Sequence, residues 1–477
     1  MDATEPTAEP STHPCAGLPP EPDGAPAAGP AAAHRRPRSP GLPAAGDRDG
    51  AVGFVTDHLA DLVADEPMAS PRFRGGQIAA DAALATLDVA GYAAERNEVW
   101  PERRRGASAV SPYVRHGLLS LPVLWDAVAG APARDRDKYR DELLWQEYAR
   151  HLYARLGRDT AAGLRRELPA TTSTRSSRTA AAGVGAGPAG VGAGPAGVGA
   201  GPAGMAGTPW DTSMACLEQV TSELVRDGYA VNQTRMWLAS HWAVRAGWEW
   251  RDGEDLLYRH LLDGSRAANR AGWQWTVGTA TNRVYGFSRW QVERRAPGLC
   301  ATCPLADSCP IEEWPEDPHL APTAQPAALR RDPDPDATAG PTTPLVTGEP
   351  TAVWLTAESL GDDDPALAAH PDLPAVFVFD APLLARLQLS GKRLVFLTET
   401  LAELSARRDV EVVVGDPVEV LAGRALAATF APVPGWRRRA ATLAPVAVHP
   451  WPWLRRPHAG TLSSFSAWRK LLGQRHG

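Results

Sequence analysis

Between Leu261 and Pro315 two sets of residues have types and spacings suited to chemistry. In LLDGSRAANRAGWQW, Asp263, Asn269, Trp273 and Trp275, with Gly272 giving close approach, can form a polar and aromatic wall for a large planar ring. A Trp-rich helix can equally be core. Cys300, Cys303 and Cys309 then follow in one turn-rich loop. Closely spaced cysteines in a reducing compartment bind metal or do redox work more often than they build a disulfide scaffold. Upstream, in GASAVSPYVRHG, Ser108 and Ser111 precede a Pro suited to a helix's first turn. Free backbone N–H groups there could cradle a phosphate, and the plainer reading is an N-cap.

The chain that positions these groups has 477 residues, enough for two domains with a core each. The net charge of -6 is modest and no long basic run occurs, so charge neither demands nor excludes nucleic acid. No apolar run reaches the length of a membrane span, and the Ala- and Pro-rich start has no apolar core, so the expected compartment is the cytoplasm. Seventeen Trp against eight Phe and eight Tyr is an unusual bias, toward a side chain that packs in cores and also stacks on rings and passes electrons.

Residues 1–50 are Pro, Ala, Gly and Asp rich and read as a disordered arm in which Cys15 has no role. Residues 51–315 carry helical spacing, as in AADAALATLDVAGYAAERN and KYRDELLWQEYARHLYARL. They are interrupted at 171–207 by a low-complexity insertion with three copies of GVGAGPA, a flexible loop in which nothing could build a core. A Pro- and Asp-rich linker is expected at 316–349. From 350 to 477 the short apolar runs TAVWLTA, PAVFVFD, RLVFL and VEVVVG alternate with helical segments. That alternation predicts a parallel sheet with helices on both faces. The expected fold class is α + α/β: an all-helical domain followed by a doubly wound parallel α/β, Rossmann-like domain.

At this point the residues resemble the cryptochrome and DNA photolyase family. LLDGSRAANRAGWQW is similar to that family's flavin-binding signature, and Tyr92 and Arg96 in YAAERN, then SAVSPYVRHG, ELLWQEY and NQTRM, resemble its other blocks in the expected order. The resemblance implies FAD as cofactor, with Tyr92, Ser108, Val110 and Ser111 around its phosphates and ribityl chain. Arg235 would face the flavin, and Asp263 and Asn269 would contact the isoalloxazine, Asn269 near its N5. It implies Trp273 as the electron donor beside the flavin and Trp250 as the next relay member. Glu142 and Trp145 would line the cavity for a flipped lesion, Asn232 would lie beside it, and Gln146 and Trp275 would touch the substrate. The implied activity is that of a deoxyribodipyrimidine photolyase, a carbon–carbon lyase using light and reduced FAD on UV-damaged DNA, as a monomer away from membranes. Two rivals are a cryptochrome-like blue-light photoreceptor without repair and a structural homologue that binds no flavin.

Departures from the family pattern fall at Gln146, where Arg is usual, at Ala107 for Thr, and at Ser265 for an acidic residue. They also fall at Val231 and Gln233, which flank Asn232 in place of a His-Asn-Arg triplet. Asn232 favours cyclobutane dimers over (6-4) photoproducts as the lesion. The run Cys300, Cys303, Cys309 followed by PIEEWP resembles the iron–sulfur bacterial photolyases, and Cys216 in MAC stands where their fourth ligand lies. Four thiolates suit a [4Fe–4S] cluster or a structural zinc; the resemblance favours the cluster, with zinc and no metal as the alternatives. The C-terminal part resembles the family's antenna domain, which normally comes first, so the chain reads as a circular permutation. TAESLGD replaces the residues usual after its first strand, which leaves the antenna chromophore open, and Asp362 to Asp364 read as a solvated loop in preference to a metal site.

Overall fold

The protein is described by a computed structural model over residues 37–172 and 204–473. The GVGAGPA copies, Cys15 and most of the expected arm lie outside the described residues. Helix α1 (Arg48–Leu59) is started by Asp47, whose carboxylate accepts the N–H of Gly50 at 2.8 Å. Helix α2 (Ala133–Leu156) follows from KYRDELLWQEYARHLYARL, whose apolar positions three and four apart bury Tyr139, Leu143, Tyr148, Leu152 and Leu156. Helix α3 (Ala215–Asp227) stops at Gly228, which adopts φ +71° where a Cβ would meet the Leu262 side chain at 2.7 Å. Helix α4 (Asn232–Ala239) runs into a wider π turn over Ser240–Arg245, and α5 (Trp250–His260) and α6 (Arg266–Thr276) complete the helical half. A two-residue antiparallel ladder, Arg166–Glu167 with Ala321–Pro322, is its only strand pair among the described residues.

The second half is a six-stranded sheet of β1 (Leu345–Val346), β2 (Ala352–Leu355), β3 (Ala375–Asp380), β4 (Val410–Gly415), β5 (Leu426–Thr429) and β6 (Ala447–His449). Its order is β1-β6-β5-β2-β3-β4, parallel throughout except for β1 against β6. Side chains alternate between two cores because a strand has period two. Val353, Phe377, Phe379 and Val412 join the large core that also holds the helical half, while Trp354, Val376, Val378 and Val413 meet Trp436 and Trp451 on the other face. The two halves therefore share apolar contacts, and the described residues form one compact unit. The α + α/β class expected from the sequence is the class found.

Three expectations need correction. RLVFL, read as a strand, lies inside helix α7 (Gly391–Ser405), of which nearly every residue is buried. A short apolar run cannot be told from a fully buried helix by periodicity, and here the run is packed against α1 and the helical half. Residues 37–50 are not an arm: Arg38 exchanges backbone hydrogen bonds with Val414 (3.3 and 2.8 Å), covering the outer edge of β4. The expected linker is fixed structure as well. It contributes β1 and a short helix at Pro335–Ala339, and Asp332 pairs with Arg155 of α2 at 3.0 Å, both side chains being buried. Helix α8 (Phe465–Gly473) closes the described chain against α2. Among the described residues no helix is long and apolar enough to cross a membrane.

On α2, the fully buried Glu147 accepts the N–H of Arg455 at 2.8 Å, and burial pushes its carboxyl up to about 7. A raised folded-state value means that this group's stabilisation is complete below the ordinary carboxylate range and is lost as pH rises toward 7. Glu147→Gln keeps an acceptor, so it is expected to unfold at a higher temperature than the parent at about pH 8 and to lose that advantage near pH 5. Thermal unfolding at the two values checks this, and an equal difference at both would contradict it.

Candidate functional site

The turn Leu261–Ser265 between α5 and α6 is fixed from three sides. Leu262 donates its N–H to the Gly228 carbonyl at 2.8 Å. The Gly264 carbonyl accepts from Arg115 at 2.8 Å and from Arg393 of α7 at 3.0 Å. Asp263 is thereby buried with one oxygen paired to Arg235 of α4 at 2.7 Å, while its Oδ1 is buried without a hydrogen-bond partner. Burial pulls the Arg235 guanidinium down, but Asp263 beside it holds it above its ordinary value. Arg235 also lies over the Tyr229 ring at 5.8 Å, as Arg72 does at 5.0 Å.

One turn into α6, the buried Asn269 amide donates to the Glu254 carbonyl at 3.1 Å and to its carboxylate at 2.8 Å. Glu254 is fully buried and also meets Arg266 at 2.6 Å and Arg270 at 3.0 Å. Sequence reading passed over Glu254; its place one turn after Trp250 on the same helix was the available signal. Trp273 is buried and its indole N–H has no partner. A Cβ at Gly253 would stand 2.4 Å from the Trp273 ring and 2.8 Å from that of Trp242, so only glycine lets the two indoles approach.

A cleft of about 350 Å³, the size of a small ligand site, is lined by Arg72, Phe73, Thr86, Ala107, Ser108 and Tyr113. Ser108, expected beside a flavin's phosphates, lines this cleft. Arg72 and Phe73 were missed, and nothing in their spacing marks them. Val110 is buried at the start of the short helix Ser111–Arg115, with no side-chain cap. Tyr92 sits edge-on to Tyr139 at 5.0 Å, and burial, with Glu142 adding to it, pushes its hydroxyl up. Asp263, Asn269 and Trp273 do not line this cleft. Phe73 and Tyr229 (rings 5.2 Å apart) stand between the cleft and the Arg235–Asp263 pair.

The expected substrate residues divide into two groups. Trp275 is 40% exposed and lies 6.0 Å from Tyr285, whose hydroxyl accepts from Gln233 at 2.7 Å, and Asn232 is exposed beside Gln233. Trp145 is elsewhere, stacked at 3.8 Å and 12° on Phe465 of α8, so one face of its ring is already covered. Its neighbour Gln146 is half-buried, and Glu142 is paired with Lys138 at 2.7 Å and Arg96 at 3.4 Å. Trp250 is fully buried under the Arg251 guanidinium (4.5 Å), and among the described residues no aromatic ring contacts it.

Cys216, near the start of α3, and Cys300, Cys303 and Cys309, on two short 3-10 turns, all line one small pocket walled by Met214, Val292 and Ile311. All four are free, and the Ala215 N–H donates to the Cys303 sulfur at 3.4 Å. Burial pushes the Cys216 thiol up, the other three adding to it, and burial raises Cys300 to about 11. Among the described residues no group of three or more His, Cys, Asp or Glu side chains is arranged to hold a single metal ion. The four sulfurs share a pocket of about 10 Å³, walled by apolar side chains and drawn from separate segments.

In open α/β sheets ligands enter where the strand order reverses, here between β5 and β2. That crevice holds Asp364, which hydrogen-bonds Thr429 at 2.8 Å and caps the helix Pro365–Ala369, and burial pushes its carboxyl up to about 6. The expectation of a solvated acidic loop is thus wrong for Asp364, although the exposed Asp362 does pair with Arg407 at 2.8 Å.

Residues 139–295 match the family model described as the FAD binding domain of DNA photolyase. No curated protein matches the chain. Two solved structures share some likeness: a bacterial class III photolyase from Agrobacterium tumefaciens (19% identity, TM-score 0.34, 53% of this chain and 46% of that one) and an archaeal photolyase from Sulfolobus tokodaii with two FAD molecules (20%, 0.37, 51% and 50%). The chain spans about half the length of each.

The Arg235–Asp263 pair has a measurable consequence. Asp263→Ala strands a mostly buried guanidinium, so the protein without added cofactor is expected to lose about 3 kcal/mol of unfolding free energy, and Asp263→Asn less. Urea unfolding measures both, and equal small losses would show that the pair is not needed for the turn.

Proposed function

We propose, from the match of residues 139–295 to the FAD binding domain of DNA photolyase, that this protein is a light-driven pyrimidine-dimer photolyase. The observation that carries the reading is the buried, unpaired Oδ1 of Asp263, an acceptor with no donor in a turn that Arg115 and Arg393 hold rigid. A buried acceptor left open is costly unless a bound group completes it, and a flavin ring edge offers N–H donors. Arg235 and Asn269 would hold the same ring, and Ser108 and Arg72 in the adjoining cleft would meet its phosphates. Bound FAD supplies the one-electron chemistry that splits the dimer.

The chain's part is placement. Trp275 and Tyr285 present ring faces to an extruded base, and stacking of about 1–3 kcal/mol per base offsets the few kcal/mol that extrusion costs. Asn232, exposed at the start of α4, supplies a polar contact and favours a cyclobutane dimer. The four cysteines would hold a [4Fe–4S] cluster and tie α3 to the 300–309 loop. A second reading, a blue-light photoreceptor without repair, is favoured by Phe465, which already covers one face of the Trp145 ring.

An absorption spectrum of anaerobically purified protein is expected to show flavin and iron–sulfur bands, with iron and sulfide near four each per chain, roughly the content of one cluster. A colourless protein that cannot be reconstituted would remove the flavin reading. Reduced protein under blue light is expected to restore intact thymines in a dimer-containing oligonucleotide. Phe465→Ala, which uncovers Trp145, is expected to raise that rate several-fold. No restoration by parent or variant would leave the photoreceptor reading.

A further inference from the structure

We infer that Trp290 and Trp314 form a clamp for an unpaired base of single-stranded DNA, a second nucleic-acid site outside the lesion pocket. The inference rests on the photolyase reading above. Of the seventeen Trp side chains only Trp275, Trp290 and Trp314 are exposed, and all three fall between positions 275 and 314. Trp290 and Trp314 are 54% and 55% exposed, and large indoles kept in water at fixed positions mark contact with a partner. Both are fixed at the base. Arg245 donates to the carbonyls of Phe287 at 2.6 Å, Pro310 at 3.3 Å and Glu313, which ties the stretch before Trp314 to the residues before Trp290. A Cβ at Gly286 would stand 2.5 Å from the Trp314 ring, so only glycine lets that indole lie against the backbone. Trp290 is carried by the short helix Arg289–Arg295, whose start is held by Gln291 accepting the Ser288 N–H at 2.8 Å.

The ring geometry suits a flat guest. The two centroids are 6.4 Å apart and the planes are inclined at 38°. A base between two rings needs them about 7 Å apart, two contacts of roughly 3.5 Å each. The pair is thus too wide for the indoles to stack on each other, and a small side-chain rotation opens it to one base. The exposed Arg294 stands with its guanidinium 5.3 Å from the Trp290 centroid, where it can meet the phosphate of a base held there. The way back to the substrate end is short. Gly286 under Trp314 follows Tyr285, whose ring lies 6.0 Å from Trp275, so one strand can run from the lesion to the clamp.

Charge selects which nucleic acid fits. Arg289 is spent on Glu293 at 2.9 Å and Glu312 at 2.8 Å, and the exposed Glu313 offsets Arg294. A surface this close to balance cannot hold a duplex by its phosphates, which needs many free cations. Bases of an intact duplex are also already stacked on one another, whereas those of a single strand offer both faces to an indole whatever their sequence.

The test uses the full chain in the dark with a labelled, lesion-free oligothymidylate, following fluorescence anisotropy. Trp290→Ala and Trp314→Ala are each expected to weaken binding by about fivefold or more, as loss of one base stack does. Trp290→Phe and Trp314→Phe, which keep a ring face, should retain most of the affinity, a rescue that a purely structural role at the surface would not give. Binding by the parent should fall by less than about tenfold between roughly 50 and 200 mM salt, since one or two phosphates are met, and the matching duplex should compete poorly. Unfolding temperatures of all four variants separate a lost contact from a lost fold. Parent-like binding by both Ala variants, equal competition by the duplex, or a dimer in solution that Trp290→Ala dissociates overturns the clamp, the last assigning this face to a second copy of the chain. A parent that repairs a dimer-containing oligonucleotide but does not hold the lesion-free strand overturns the clamp alone, and one that takes up no FAD and holds no strand overturns the photolyase reading with it.

Discussion

A single backbone oxygen, the carbonyl of Gly264, receives guanidinium donors from two directions, and the site depends on that double contact. Arg115 comes from the short helix after the serine-rich loop, and Arg393 from α7 in the α/β half. Two buried cations are expensive unless every donor is used. Arg393 spends its other nitrogen on the Tyr258 carbonyl at 2.6 Å and stacks on the Tyr258 ring, while Arg115 pairs with Glu358 at 2.8 Å. Glu358 belongs to the loop after β2, so both anchors tie the turn bearing Asp263 to the second half of the chain.

This explains why a chain with two kinds of secondary structure does not fall into two bodies. The inner face of the sheet, α1 and α7 share one apolar core with α2 through α6, and the cations are laid across that same boundary. The outer face makes a smaller core with Trp354, Trp436 and Trp451. Dispersing indoles through both cores uses Trp as a large packing unit, and it brings Trp210, Trp242, Trp248 and Trp273 into successive ring contact.

Much of the site's chemistry was legible as residue types. The Asp, Asn and Trp of LLDGSRAANRAGWQW do sit around one buried turn and helix, and the three cysteines of the 300–309 loop do share a pocket with Cys216. Arg72 and Phe73 were invisible because a cleft is made by approach of distant segments, and FRGG carries no period or motif that says what it faces. Glu254 was within reach of sequence reasoning, since a carboxylate on the buried face of an amphipathic helix must find partners. RLVFL was misread because five apolar residues suit a buried strand and a helix equally, and only burial on all sides decides between them.

What the sequence determined by itself, then, is local: helical spacing through residue 315, short apolar runs after 350, cysteines at fixed separations, and an Asp, Asn and Trp set within fifteen residues. Tertiary structure alone decided that Phe465 covers Trp145, that Asp364 is buried against Thr429, and that Trp273 meets Trp210. The physical reason is the same in each case. Periodicity says which face of an element is apolar, but the partner that covers this face comes from tens or hundreds of residues away, and its identity is fixed only when the chain closes on itself.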